Sequence, residues 1–246
     1  MKTQKAESLY GALDYALRDY NNAGYRVKYL HTDGQFKSIL NEVKDTLEID
    51  INYTAKGQRV PEVERHNRVI KERFRAAYHN LPYKCIPRAM IKELFQRVLF
   101  QLNIFPAKGG VSSYYSPYML VKQKQVDYDK HFQCSFGSYV QGHVDNNPKN
   151  TNLPRTIDGI YLNPMMNKQG GHFVMHIQTG MIVTCNKVTV IPVTDLVIKA
   201  VEHLAKEQGQ ETLKIVSRNR SLLLPANWTA GVDYDEDVLD AVDDDY

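Results

Sequence analysis

The hydrophobic period of this chain changes once along its length, and that change constrains the fold more than any other feature. Up to residue 103, apolar residues recur mostly at helical spacing, interrupted by short alternating runs. Leu9, Ala12, Leu13, Ala16, Leu17 and Tyr20 predict a helix capped at Thr3 and stopped at Gly24. Tyr25 to Thr32 alternates as a strand and ends at the turn signal Asp33-Gly34. Phe36, Ile39, Leu40, Val43 and Leu47 predict a second helix, and Glu48 to Tyr53 a second strand. A polar loop, Thr54 to Val60, leads to Pro61, well placed in the first turn of a helix running to about His79. Arg88 to Asn103 is a further helix, with Met90, Ile91, Leu94, Phe95, Val98 and Leu102 as its apolar side.

Residues 104 to 131 read as irregular, and after them the period is two. Phe136 to Val144, Ile157 to Leu162, His172 to Ile177 and Met181 to Ile191 predict short strands, with a hairpin turn at Gln178-Thr179-Gly180. Asp195 to Gln208 is a last helix. The expected class is therefore α/β: a block over 1–106, a connector over 107–131, a small β-rich module over 132–208, and a linker with an acidic disordered tail over 209–246.

Charge bears on partners. The formal net charge is +3, yet the last fourteen residues hold eight acids and no base, which leaves the rest of the chain at +11. A basic body with an acidic tail points to a polyanion, DNA first, with a plain solvated surface as the alternative. Three cysteines, Cys85, Cys134 and Cys185, lie about fifty residues apart, which excludes a disulfide framework and a Cys-x-x-Cys zinc pair. With no run near about 18 apolar residues and a polar start, no membrane partner is expected. A reducing intracellular location, nuclear or cytoplasmic, is expected.

Asp33 follows a predicted strand, where open α/β sheets place functional side chains. On the helix from Pro61, at about 100° per residue, Glu64, Arg68, Lys71 and Arg75 share one stripe. Val63, Ile70, Phe74 and Ala77 form another, about 110° away, and are expected to pack. Three bases on successive turns suit a phosphate backbone, and a carboxylate facing Asp33 suits a divalent metal. An ordinary Asp-Gly turn and an exposed i,i+4 pair explain the same residues without function. Tyr114, Tyr115 and Tyr118 near Lys108, Lys122 and Lys124 could stack on nucleic acid or pack within a loop. His172 and His176 read as strand histidines rather than a zinc site.

His31-Thr32-Asp33-Gly34-Gln35-Phe36, followed by Pro61-Glu62-Val63-Glu64-Arg65-His66-Asn67-Arg68, resembles the catalytic core of copia-type retrotransposon integrases. Downstream, Phe136-Gly137-Ser138-Tyr139 resembles the Phe-Gly element that follows that core, and Arg155 to Leu162, Gly170-Gly171-His172-Phe173 and Gln178 to Val183 resemble the small β module of that family, so that the likeness runs from roughly Lys2 to Glu207. The resemblance implies a ribonuclease-H-like core, Asp33 and Glu64 as catalytic metal ligands for Mg²⁺ or Mn²⁺, and Arg68, Lys71 and Arg75 as DNA contacts. The implied ancestral activity is DNA integration, by 3′-end processing and strand transfer. The family's first catalytic Asp has no counterpart, since Asp14 and Asp19 fall in the opening helix. The expectation is an incomplete core lacking its first strands, a fragment of a mobile-element polyprotein, inactive alone and prone to self-association. The alternative is a non-catalytic nucleic-acid-binding or assembly protein of the same descent.

Overall fold

A computed structural model describes residues 6–32, 34–53, 61–144 and 154–210. The chain is mixed α/β and divides into two compact units, Met1–Arg73 with Leu99–Val126, and Phe74–Val98 with Asp127–Tyr246. Two long helices, α3 (Pro61–His79) and α4 (Arg88–Ile104), contribute residues to both.

In the first unit, α1 (Ala6–Asn22) precedes β1 (Tyr29–Thr32), a 3₁₀ turn (Gly34–Ile39), α2 (Leu40–Leu47) and β2 (Asp50–Tyr53). The two strands pair in parallel, Tyr29 opposite Asp50 and Thr32 opposite Tyr53. A two-stranded sheet is marginal alone. Here it packs with the helices through Leu9, Leu17, Ile39, Val43 and Ile49, all buried, with Leu30 and Ile51 against them. The first strand is shorter than its alternation predicts, because the Tyr25 amide donates to Tyr20 O and helps to end α1. Pairing begins only where β2 begins. The predicted second helix likewise starts as a 3₁₀ turn before becoming α-helical.

The segment 104–131, expected to be irregular, contains two short capped helices. Ser116 Oγ accepts from Met119 N to start α5 (Pro117–Lys122), with Pro117 in its first turn. Asp127 does the same for Lys130 N at α6 (Tyr128–His131), in the second unit. Asp14 and Asp19 lie on α1 as expected and are ion-paired, to Arg18 and to Lys122 of α5.

The second unit is built on a five-stranded antiparallel sheet of β3 (Tyr139–His143), β4 (Thr156–Pro164), β5 (His172–His176), β6 (Ile182–Cys185) and β7 (Lys187–Val190). Its order is β6-β5-β4-β3-β7. The predicted single strand Met181 to Ile191 is thus two strands on opposite edges, joined through Asn186 alone. In a flat sheet those edges would stand roughly 19 Å apart. Two peptide steps from Cys185 to Lys187 span at most about 7.6 Å. The sheet must therefore roll until its edges meet. Asn186 N donating to His143 O at 3.3 Å, and the Cys185 thiol crowding the α-carbon of Gly142, mark that closure.

Period-two alternation then sorts side chains between the two faces of the rolled sheet. Val140, Tyr161, Val174, Cys185 and Val188 fill the inside, with Cys134. Ile160, Leu162 and Met175 face outward onto Tyr78, Tyr83, Ile86, Met90 and Leu94, and onto Val197 and Val201 of α7 (Asp195–Glu207). α7 buries Val197, Val201 and Ala205 at i, i+4 and i+8, the spacing of one helical face. The Phe-Gly pair has a local cause too. Gly137 has φ +83, and a β-carbon there would lie 2.5 Å from Leu81 Cδ2. Its carbonyl accepts from the Tyr83 hydroxyl at 2.8 Å.

Candidate functional site

Helix α3 presents the predicted stripe to solvent. Glu64, Arg68, Lys71 and Arg75 are all exposed. The helix is not half packed along its whole length, however. Every residue from Val63 to Arg68 is exposed, and Val63, expected on the packing side, is 49 % exposed. Packing begins at Val69 and Ile70 and deepens at Phe74, Ala77 and Tyr78, where the apolar contacts of the second unit take hold. Phe74 sits 6.3 Å from the ring of Phe95 and 6.4 Å from that of Tyr78. The front of α3 therefore owes its helicity to its own residues, and its charged stripe is accessible.

Asp33 lies outside the described residues. Its neighbours are placed: Thr32 ends β1 and is buried, and Gly34 opens the 3₁₀ turn. The parallel pairing runs from Tyr29 opposite Asp50 to Thr32 opposite Tyr53, and Thr32 is the last described residue before Asp33. The loop Thr54–Val60 and the acidic tail from Asp233 also lie outside the described residues.

A carboxylate in the first turn of α3 is favoured by the helix dipole, and three bases follow it at one-turn intervals. Oxygen donors of this kind suit Mg²⁺ or Mn²⁺ rather than softer ions. Among the described residues no group of three or more His, Cys, Asp or Glu is placed to hold a metal ion. Nor is any helix among them long and apolar enough to cross a membrane.

A second polar cluster escaped the sequence reading. At one end of the rolled sheet, Arg97 of α4 is only 6 % exposed, and its guanidinium stacks over the Phe132 ring at 4.7 Å. It faces the Tyr161 hydroxyl, whose pKa burial pushes up to about 12 against the pull of Arg97. Neither Arg97 Nη1 nor the Tyr161 hydroxyl makes a hydrogen bond of normal geometry among the described residues. His172 lies 5.7 Å from the Tyr161 ring, and burial, together with His131, holds its pKa below the usual imidazole value. His131 Nε2 meets Asn167 O at 3.1 Å, while Nδ1 of both histidines has no partner among the described residues. One turn before Arg97, buried Glu93 accepts from Asn163 Nδ2 at 2.9 Å. Glu93 and Arg97 stand on the side of α4 that the apolar pattern assigned to solvent, while Phe95, assigned to the core, is 46 % exposed. The only trace in the sequence is their i,i+4 spacing, which exposed pairs share. His176, by contrast, lies on β5 as expected, with Nδ1 3.1 Å from Thr179 Oγ1.

Of the aromatic and lysine group, Tyr118 packs edge-on to Phe100 with centroids 5.6 Å apart, whereas Tyr114 and Tyr115 are 87 % and 56 % exposed. No protein-family model and no curated protein matches this chain, so its function is read from its own residues.

Proposed function

We propose that this chain is an integrase-like DNA-binding protein, similar to the ribonuclease-H-like core and small β module of copia-type retrotransposon integrases. The observation that carries the reading is the exposed face of α3, where Arg68, Lys71 and Arg75 follow Glu64 turn by turn. Spaced about 5 Å apart along the axis, these bases would neutralise successive phosphates of a duplex, and their affinity would fall steeply with salt. The parallel β1–β2 pair, with Asp33 next after the end of β1, supports an α/β core of this kind.

Asp33 and Glu64 would hold Mg²⁺ or Mn²⁺, an ion that stabilises the attacking and leaving oxygens in phosphodiester exchange. Only two of the three carboxylates implied by the resemblance have counterparts in this chain. Within this reading the residues of this sequence supply the DNA-binding face and two of the carboxylates that strand transfer uses. A misplacement of about 1 Å can cost two orders of magnitude in rate, and two ligands fix a metal pair poorly.

The test replaces Arg68, Lys71 and Arg75 with Glu and measures duplex binding across a salt series. Affinity should fall, and the slope of log K against log salt should become shallower by about 0.9 per lost contact. A folded triple variant with unaltered affinity and slope would refute the assignment of this face. Metal-dependent joining by the 246-residue chain, abolished by Asp33→Asn and by Glu64→Gln, would show instead that it is a complete catalyst.

A further inference from the structure

Between buried Ile104 and buried Ser116 the chain forms a surface loop whose form is set by its own hydrogen bonds. Gly110 N donates to Ala107 O at 2.9 Å, with Gly109 at φ +74. Ser112 Oγ accepts from Tyr114 N at 3.1 Å and from Tyr115 N at 3.0 Å. α5 is fixed behind it by the Lys122–Asp19 pair at 2.7 Å and by Gln123 Nε2 donating to Ala23 O. The loop is thus built, yet it spends its apolar side chains on solvent: Val111 is 95 % exposed, Tyr114 87 % and Tyr115 56 %. A loop held in one form that leaves large apolar groups in water is the mark of a binding surface.

Its charge says what it binds. Phe105 to Val126 contains three lysines, Lys108, Lys122 and Lys124, and no acid. All three are exposed, and Lys108 and Lys124 have no ion-pair partner among the described residues. The six residues of α5 span about 9 Å, so Lys122 and Lys124 follow the tyrosines by little more than the length of that short helix. Flat aromatic faces in a segment whose Lys108 and Lys124 carry no competing carboxylate match unpaired bases with their phosphates. A duplex keeps its base faces stacked on one another and offers little to such a surface.

We propose that Val111, Tyr114 and Tyr115, with Lys108 and Lys124, form a docking surface for single-stranded nucleic acid, on which bases stack. This rests on the DNA reading above but on different residues. The α3 face would take duplex phosphates, and this loop would take unpaired nucleotides such as those of a frayed end.

The experiment uses the full chain and two labelled probes, an oligo-dT single strand and a blunt duplex. Tyr114→Ser with Tyr115→Ser should weaken single-strand binding about 30-fold or more, the equivalent of two stacked bases. It should leave duplex affinity and its salt slope unchanged, and Tyr114→Phe with Tyr115→Phe should bind as the parent does. If the double Ser variant, folded by circular dichroism, keeps its single-strand affinity, the proposal is overturned. Failure of the parent chain to bind oligo-dT would overturn it too and leave a protein partner for the loop. If the α3 variant keeps duplex binding while the double Ser variant loses single strands, the α3 reading fails and this one stands.

Discussion

Gly159 tests the rolled sheet of the second unit directly. A β-carbon built there lies 2.2 Å from Val174 Cγ1 and 2.9 Å from Met175 O. Carbon–carbon contacts are comfortable only near 3.5–4.0 Å. Val174 is fully buried, and the Met175 carbonyl belongs to the strand paired with β4, so neither can step aside cheaply. Gly159→Ala should therefore cost about 3 kcal/mol, the upper part of the overpacking range, although alanine is the better strand residue. The three cysteines, Cys85, Cys134 and Cys185, are all thiols outside any disulfide, buried and in this unit. Their rate of labelling by a thiol reagent under native conditions reports its opening. A loss of about 3 kcal/mol raises the open fraction by roughly 150-fold, and labelling of Cys134 and Cys185 should accelerate by that factor. Gly11 provides the opposite sign. It lies exposed inside α1 with nothing within 4 Å of a built β-carbon. Gly11→Ala should stabilise α1 by about 0.8–1 kcal/mol and slow its amide exchange about fivefold, without altering thiol labelling. A Gly159→Ala protein whose Cys185 reacts at the parent rate would mean that β4 and β5 do not approach at Gly159 as described.

Because burial and His131 lower the pKa of His172 in the folded chain, the unfolded chain takes up its proton first as pH falls. Stability of the second unit should be full above about pH 6.5, decline as the pH drops through the depressed folded value, and show a shallower pH slope in His172→Phe, read from urea midpoints. Tyr83→Phe should cost about 1 kcal/mol in the same titration, since it removes the donor to Gly137 O; an unchanged midpoint would show that water replaces it without cost. Removing the acidic tail after Gly231 should tighten duplex binding at low salt and matter little at high salt, and equal affinity at low salt would show the tail to be electrostatically idle.

Much of the local structure was legible in the residues. The apolar spacing of Leu9 to Tyr20, the Pro61 start, the Gln178-Thr179-Gly180 hairpin and the Val197-Val201-Ala205 face all act within a few turns of chain, and each element stands where that spacing put it. The charged stripe of α3 was legible for the same reason, since 3.6 residues per turn fixes which side chains share a face. What periodicity could not carry is which element each face meets. Met181 to Ile191 reads as one alternating run whether its halves share a partner or not. Only pairing with β5 on one side and β3 on the other splits it at Asn186 and rolls the sheet. Val63 and Phe95 are apolar by type yet face water, and Glu93 and Arg97 are charged yet buried, because neighbours distant in sequence decide what covers them. Helix and strand come from interactions between residues a few places apart, whereas closure of the sheet and the polar cluster at its end come from contacts tens of residues apart, which only the folded chain brings together.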